Sequence, residues 1–480
     1  MKCKMPRRSF LKRTILAAGA LSAGRYLAFP NLLSAREPGD ILNCVLIGCG
    51  GRGETHVEQA IINQKQHLVA MVDPDDRALA RKKRSLADKG GINTDQVQLF
   101  SDYRVMFDKI GKEIDTVFIA APNHHHAAAA LMAMQAGKNV FCEKPLCHDI
   151  AQARELSRAS LHYKKVATQM GNQGHCLGGY HRLCEFIWAG VIGNVTETHS
   201  WTDRANGGEG PRPPSLPVPE GMHWDSWIGP APYRDYHSDL HPHEWHGWYD
   251  FGNGSLGNMG CHVLEGVFWA LKVEHPASVE MEFVRGGSEE RYPLGSRVRW
   301  DIPARGGLPP CKAYWYEGLN PTTTEQPRGS GHAARGNARN LPPLIAELQA
   351  KYPDEELDTG DSGSLYVGDK GIIFTATYGG RMHILPMEKM NEITQPPMTL
   401  PRPNPNPFID FIETCRAGRT NTATPFEYGA RLTEFCLLGN LAQHAGPGKK
   451  VEWNGRKMKV TNHPELNQWI KRKHRRGWMA

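Results

Sequence analysis

A glycine turn at the end of an apolar run constrains this chain more than any other stretch. Val45-Leu46-Ile47 runs into Gly48-Cys49-Gly50-Gly51-Arg52-Gly53, and Glu54 to Gln64 then reads as a helix. Glycines at 48, 50 and 53 make G-x-G-x-x-G in a strand–turn–helix context. A dinucleotide-binding fold needs that arrangement for a tight turn, close approach of backbone to pyrophosphate, and close packing of helix on strand. The helix N-terminus adds unpaired N–H groups and a partial positive charge for phosphates. Glycine turns after strands are common, so the pattern gains its weight from the next apolar run. That run, Leu68 to Val72, ends in Asp73 about twenty residues on. An acid there accepts from a ribose 2′-OH and repels a 2′-phosphate. NAD is therefore expected in preference to NADP.

Helical and strand patterns alternate beyond this point. Asp75 to Lys89 and Tyr103 to Ile110 read as helices, Val97 to Phe100 as a short strand, and Thr116 to His124 as an apolar strand stopped by Pro122. A helix from His125 to Ala136, Gly137, a strand from Asn139 to Cys142 and then Glu143-Lys144-Pro145 complete the series. Such alternation predicts α/β architecture with a parallel, doubly wound sheet.

Two domains are expected for 480 residues, and 40% hydrophobic with 22% charged residues is the balance of a globular protein. The 11 cysteines are scattered with no C-x-x-C, which argues against a disulfide framework and against a structural zinc site. A net charge of +7 is modest for the length and comes with no nucleic-acid-binding motif, so no nucleic-acid partner is expected.

The first residues point to export. Arg7-Arg8-Ser9-Phe10-Leu11-Lys12 precedes a weakly apolar segment from Ile15 to Ala23, a pattern similar to a twin-arginine signal. The run is too short to span a bilayer and Arg25 interrupts it, so membrane contact is expected only during export. A leader over 1–38, cleaved between about Ala23 and Ala35, and a periplasmic location are the resulting expectations. That route carries proteins folded with cofactor in place, so the dinucleotide is expected to stay bound through turnover.

The Gly48–Gly53 turn, Ala121-Pro122-Asn123, Gly137-Lys138 and Glu143-Lys144-Pro145 together resemble the Gfo/Idh/MocA oxidoreductases, which include glucose–fructose oxidoreductase and inositol dehydrogenase. The resemblance runs from about Asn43 over nearly all of the chain. It implies a Rossmann domain, placed at 39–165, and an α+β domain over 166–480 with an open, mainly antiparallel sheet. It also implies a homo-oligomer, contacts between copies through that sheet, and a small-molecule carbohydrate as substrate.

Lys144 stands at the carboxyl end of a parallel strand, where ligands bind in such sheets. A lysine there can polarise a carbonyl or stabilise an alkoxide, with its pKa lowered by burial and by the cofactor's positive charge. In the second domain, Val263, Leu264, Val267, Phe268 and Leu271 mark a buried helical stripe beginning near Asn258. Asn258 and His262 are i and i+4 and share a face. The family usually carries Asp and His at this spacing, and the resemblance implies proton transfer by His262 together with Lys144. Asn258 replaces the acid and can only orient His262 or a substrate hydroxyl.

His241-Pro242-His243-Glu244-Trp245-His246 invites a metal reading, but the spacing is not H-E-x-x-H and Pro242 and Trp245 interrupt it. No metal is expected; rings and imidazoles suit a sugar pocket. This cluster closes a Pro/Gly-rich excursion that begins at Asn206, whose tryptophans favour packing over disorder. Strands are expected at Val166–Met170, Asn194–Thr202, Ser278–Arg285, Val298–Asp301, Cys311–Glu317, Ser364–Val367 and Gly371–Ala376. Helices are expected at Ile150–Tyr163, Tyr180–Ala189, Pro407–Cys415 and Ala430–His444. Residues 320–344 read as a flexible insertion. The basic run Lys471 to Arg476 reads as a solvated helix end, with an anionic glycan or the cell envelope as its sharper partner.

Candidate cofactor contacts are thus Gly48, Gly50, Gly51, Arg52, Gly53, Asp73, Pro122, Asn123, Glu143 and Lys144. Candidate substrate contacts are Gln173, Tyr180, Trp245, Asn258 and His262, and the catalytic pair is Lys144 and His262. The leading expectation is an NAD(P)-dependent sugar or polyol oxidoreductase. Its rivals are a redox-neutral glycosidase or lyase that oxidises, eliminates and re-reduces, and a non-catalytic carbohydrate-binding homologue.

Overall fold

A computed structural model describes residues 41–327, 333–355 and 357–478. The twin-arginine leader expected over 1–38 lies outside the described residues. Strand β1 (Asn43–Ile47) is buried at every position after the first because it lies mid-sheet, covered on both faces. With β2 (His67–Val72), β3 (Gln98–Phe100), β4 (Thr116–Ile119), β5 (Asn139–Cys142) and β6 (Thr168–Met170) it forms a sheet of order β3-β2-β1-β4-β5-β6. Every neighbouring pair is parallel. This is the doubly wound dinucleotide-binding order. Crossover helices start on acid caps: Asp75, Asp102 and Asp149 accept from the backbone N–H of Arg77, Arg104 and Gln152.

Two expectations change here. Strand β6 lies beyond the boundary expected at 165/166 yet hydrogen-bonds to β5, so the first sheet runs to Met170. The helix expected over 54–64 starts earlier, at Gly51–His56, and continues as a π-helix over Val57–Ile62.

The second sheet joins β7 (Val195–Thr202), β8 (Ser278–Arg285), β9 (Gly295–Ile302), β10 (Cys311–Gly318), β11 (Ser362–Gly368) and β12 (Ile372–Ala376). Three short strands that the sequence pattern misses, β13 (His383–Leu385), β14 (Lys450–Asn454) and β15 (Lys459–Val460), complete it. The order is β13-β12-β11-β7-β10-β9-β8-β14-β15, antiparallel throughout except where β10 runs parallel to β7. Helix Phe426–Ala445 covers one face, with Phe435 against Trp300 at 5.2 Å between rings. The other face carries a charged ladder, Arg299 bridging Glu280 at 2.8 Å and Glu282 at 2.6 Å.

The 206–250 excursion has its own core of Trp224, Trp227, Trp245, Trp248, Leu240 and Phe251. It clips onto the loop after β2, where Asp76 N–H donates to Gly221 O at 2.9 Å and His223 N–H donates to Pro74 O at 2.8 Å. The insertion expected to be flexible is packed where it is described: Ala334 and Ala338 are buried with Leu294 and Leu319, and a helix begins at Pro343. Residues 328–332 lie outside the described residues. The basic run is no helix end either, since its helix, Asn467–Ile470, stops before Lys471.

Candidate active site

The three fingerprint glycines have three different reasons to be glycine. Gly48 has φ +94°, its N–H donates to Val72 O at 2.8 Å, and a Cβ there would come within 2.6 Å of the Ala120 carbonyl. At Gly53 a Cβ would lie 2.3 Å from Gly48 O, so this residue brings helix onto strand. Around Gly50, and Gly51 beside it, a Cβ would meet nothing within 4 Å. That open space belongs to a cavity of about 530 Å³, within the usual range of roughly 300–1,000 Å³ for ligand sites. The same cavity is lined by Asp73, Pro122, Asn123, Lys144 and His262.

Asp73 accepts from Cys49 N–H at 2.8 Å and from Asp75 N–H at 2.9 Å. Burial pushes its carboxyl up to about 6, against the pull of those two N–H groups. Each oxygen keeps a lone pair for a ribose hydroxyl. An open backbone cradle, a helix N-terminus without a side-chain cap, and an acid at the end of β2 fit a dinucleotide.

Lys144 is held by Asn258. Its Nζ donates to Asn258 O at 2.7 Å and to Asn258 Oδ1 at 3.2 Å, leaving the third N–H of the ammonium for a ligand. Asn258 Nδ2 in turn donates to Asn206 Oδ1 at 2.8 Å. Burial lowers the Lys144 pKa and the Glu143 charge opposes that shift. Glu143 Oε1 accepts from Arg52 Nε at 2.7 Å and His56 Nε2 at 2.9 Å, two side chains spaced i and i+4. Burial disfavours the Glu143 carboxylate, but Arg52, His56 and Lys144 outweigh it and hold its carboxyl well below the usual range.

His262 is buried, and its Nδ1 lies 3.0 Å from Asn172 Oδ1. The Asn172 amide cannot turn round, because its Nδ2 donates to Glu265 Oε2 at 2.7 Å and a carboxylate has no N–H to offer in return. Glu265 is itself fully buried and fixed by His175 and by the Tyr428 hydroxyl at 3.2 Å. So His262 carries its proton on Nδ1 and keeps the lone pair on Nε2. Burial and the Lys144 charge hold its pKa well below the ordinary value, leaving the ring neutral at neutral pH. A cation beside a neutral imidazole with a free lone pair can take a proton from a hydroxyl and stabilise the oxygen left behind.

Residues 42–170 match the Gfo/Idh/MocA oxidoreductase family's NAD-binding Rossmann domain, and residues 192–289 match the family's C-terminal α/β domain. Two domain models of one oxidoreductase family thus match this chain in sequence order. The chain is 29% identical over 159 residues to an inositol 2-dehydrogenase of Salmonella paratyphi B, covering 33% of this chain and 45% of that one. It is 26% identical over 200 residues to a glycosyl hydrolase family 109 protein of Solibacter usitatus, covering 40% and 44%. The chain thus spans less than half the length of either relative. The WlbA dehydrogenase of Bordetella pertussis, solved in complex with NADH and UDP-GlcNAcA, shares the fold with TM-score 0.55 and 13% identity, covering 86% of this chain and 99% of that chain.

Most of the residues singled out in the sequence converge on the one cavity: Gly48, Gly50, Gly51, Arg52, Asp73, Pro122, Asn123, Glu143, Lys144, Gln173, Trp245, Asn258 and His262 all line it. Gly53 is buried behind it. Arg52 turns toward the second domain, its guanidinium shared by Glu143 and, at 3.2 Å, by Gln173 Oε1. Tyr180, expected to touch substrate, is instead buried and donates its hydroxyl to His262 O. It lies on the inward face of the helix Gly178–Trp188 with Leu183, Cys184 and Ile187, and so falls in the core rather than in the cavity. Asn258 was expected to orient His262 or a substrate hydroxyl; its amide bonds Lys144 and Asn206 rather than His262, and it lines the cavity. The single helix expected from 258 is broken, with a π-helix over Leu256–Gly260 and α-helical turns at Cys261–Val263 and Glu265–Ala270.

His243 and His246 also line the cavity, with Trp245 stacked on His246 at 3.6 Å between rings and His246 pushed down to about 3 by burial. Among the described residues no group of three or more His, Cys, Asp or Glu is arranged to hold a metal. Sequence reasoning missed Asn172, Glu265, His56 and Tyr378, whose ring meets His262 edge-on at 5.0 Å. Asn172 had a signal, since it lies just past the carboxyl end of a parallel strand. Tyr378 had none; its φ of +61° is a tertiary outcome.

Proposed function

We propose that this chain is an NAD-dependent dehydrogenase of a sugar, polyol or sugar derivative. The observation that carries the proposal is the pairing of Lys144 with an imidazole whose Nε2 lone pair is fixed by Asn172 and Glu265, in the cavity that begins at the glycine turn. NAD, when bound, supplies the hydride acceptor. The chain's own residues do the rest. His262 Nε2 takes the proton of a substrate hydroxyl, and the Lys144 ammonium stabilises the developing alkoxide. Asn258 keeps that ammonium in place, the Glu143 charge favours its protonated form, and Trp245 offers a flat face to a sugar ring.

The test is a panel of sugars and polyols with NAD, monitored by the nicotinamide absorbance, in wild type and Lys144→Ala. Loss of at least about a hundredfold in kcat/KM is expected, as for removal of a single charge-stabilising donor. Normal turnover by Lys144→Ala would sink the assignment. The family 109 relative favours a second reading, the redox-neutral cycle. Aglycone release without net nucleotide reduction in the same panel identifies it. Non-catalytic carbohydrate binding, whose support is Asn258 in place of the acid, is excluded by any hydride transfer in the same panel.

Export by the twin-arginine route, periplasmic operation and a nucleotide retained through turnover belong to this proposal and rest on the 1–38 residues. Fractionation of cells expressing Arg7→Lys/Arg8→Lys, with the protein then retained in the cytoplasm, is the check. Association of copies through the second sheet is proposed from the family resemblance, and a monomer by light scattering would refute it.

A further inference from the structure

The segment 471–478 carries no regular helix or strand, yet its last described side chain, Trp478, is only 3% exposed. Trp478 lines the same cavity as the glycine turn, in company with Tyr103 and His125. Its ring meets Tyr103 at 5.7 Å and His125 at 5.9 Å, both edge-on. The Arg104 guanidinium sits 3.5 Å over its centroid, held by Asp102 and donating to Gly477 O at 3.1 Å.

The chain that delivers Trp478 is bolted down at each step. Arg472 N–H donates to Asp149 Oδ2 at 3.2 Å, and its guanidinium reaches Tyr249 O and the Tyr292 hydroxyl. Arg475 N–H donates to Pro230 O at 2.9 Å, and its guanidinium pairs with Asp225. These anchors lie on the first domain, on the excursion and on the second domain. The segment therefore crosses the crevice as a strap.

Sheet order says which half of a dinucleotide it crosses. The glycine turn comes after β1 at the centre, and Lys144 comes after β5 on one side. Tyr103 and Asp102 come after β3 on the other side, beyond Asp73 at the end of β2. With the pyrophosphate at the turn and the reactive ring beside Lys144, the adenosine half lies over β2 and β3, against Trp478.

We propose that Trp478 is a wall of the adenosine subsite and that the strap slows nucleotide release; this rests on the NAD reading above. The Arg104 guanidinium covers one face of the indole, so the Trp478–Arg104 stack borders the subsite as a unit. The strap supplies at one edge of the cavity the retention that an exported enzyme needs.

The experiment measures binding of NAD, ADP-ribose and nicotinamide mononucleotide to the full chain stripped of nucleotide, and the rate at which bound NAD is displaced. Trp478→Ala is expected to weaken NAD and ADP-ribose by roughly fivefold or more, the low end of the range for losing one base–aromatic contact, and to leave nicotinamide mononucleotide unchanged. Trp478→Phe should recover most of the loss. Arg475→Ala, which unfastens the strap without touching the subsite, should speed NAD displacement. It also serves if Trp478→Ala fails to fold. Wild-type ADP-ribose affinity in folded Trp478→Ala, or an unchanged displacement rate in Arg475→Ala, overturns the proposal while leaving the NAD reading intact. A wild type that binds neither NAD nor ADP-ribose overturns both.

Discussion

Replacing Asn172 by Ala isolates the device that fixes the His262 tautomer. The side chain lost makes two hydrogen bonds, one at 3.0 Å to His262 Nδ1 and one at 2.7 Å to Glu265 Oε2. Asn172, His262 and Glu265 are all buried, so no bulk water replaces the amide. A buried N–H left without an acceptor costs about 1–3 kcal/mol. That cost falls on the tautomer with the proton on Nδ1, which is the form able to accept at Nε2. At about 1.36 kcal/mol per decade the loss is roughly 5- to 150-fold in kcat/KM. Nucleotide binding should stay within about twofold, because changes at sites without shared partners leave each other nearly unaltered. The assay is initial-rate kinetics with the substrate found in the panel, beside NAD titration and a melting curve. A folded Asn172→Ala with wild-type kcat/KM would refute the claim that Asn172 sets the proton on His262.

The charges around the site lead to two further predictions. Asn258→Asp places a carboxylate about where the amide oxygen lies 3.2 Å from Lys144 Nζ; an opposite charge at that range favours the ammonium by roughly 1–3 pK units, so the alkaline limb of the kcat/KM profile should move to higher pH, and an unmoved limb would show that the limb is not Lys144. Burial lifts the Asp73 carboxyl from 3.8 to about 6. The folded protein therefore holds a proton that the unfolded chain has given up. The stability this contributes is full below pH 3.8 and lost as pH rises through 6, about 3 kcal/mol in all. Wild type should lose that increment relative to Asp73→Asn across this window, and equal pH dependence of the two melting curves would count against it.

What was legible in the sequence was local. The glycine turn, the apolar runs and the helix caps each lie within a few residues, and together they give the alternation of strand and helix that implies a parallel sheet. Lys144 was legible because it ends a parallel strand, and His262 was singled out by the family resemblance. What supports them was not. Asn172 meets His262 across 90 positions of chain, and Arg52 meets Glu143 across 91. Spacing along an ideal helix points Asn258 at His262, and the π-helix at Leu256–Gly260 sends it to Lys144 instead. The basic run after Ile470 reads as solvated only while its charges are counted without the acids and carbonyls that receive them from remote loops.

The Gly51–His56 helix has a consequence reaching beyond its first turn. In the enzyme proposed above one end of this short rod is the phosphate seat, and from its side Arg52 and His56 grip Glu143, whose next peptide neighbour is Lys144. Seat and ammonium are therefore geared together. Anything that presses the rod tight when a nucleotide arrives also steadies the charge that meets the substrate. By thermodynamic reciprocity the substrate must tighten the nucleotide by the same factor. Measured in either order of addition, the two affinities should close a cycle; if each ligand binds as though the other were absent, the gearing does not operate.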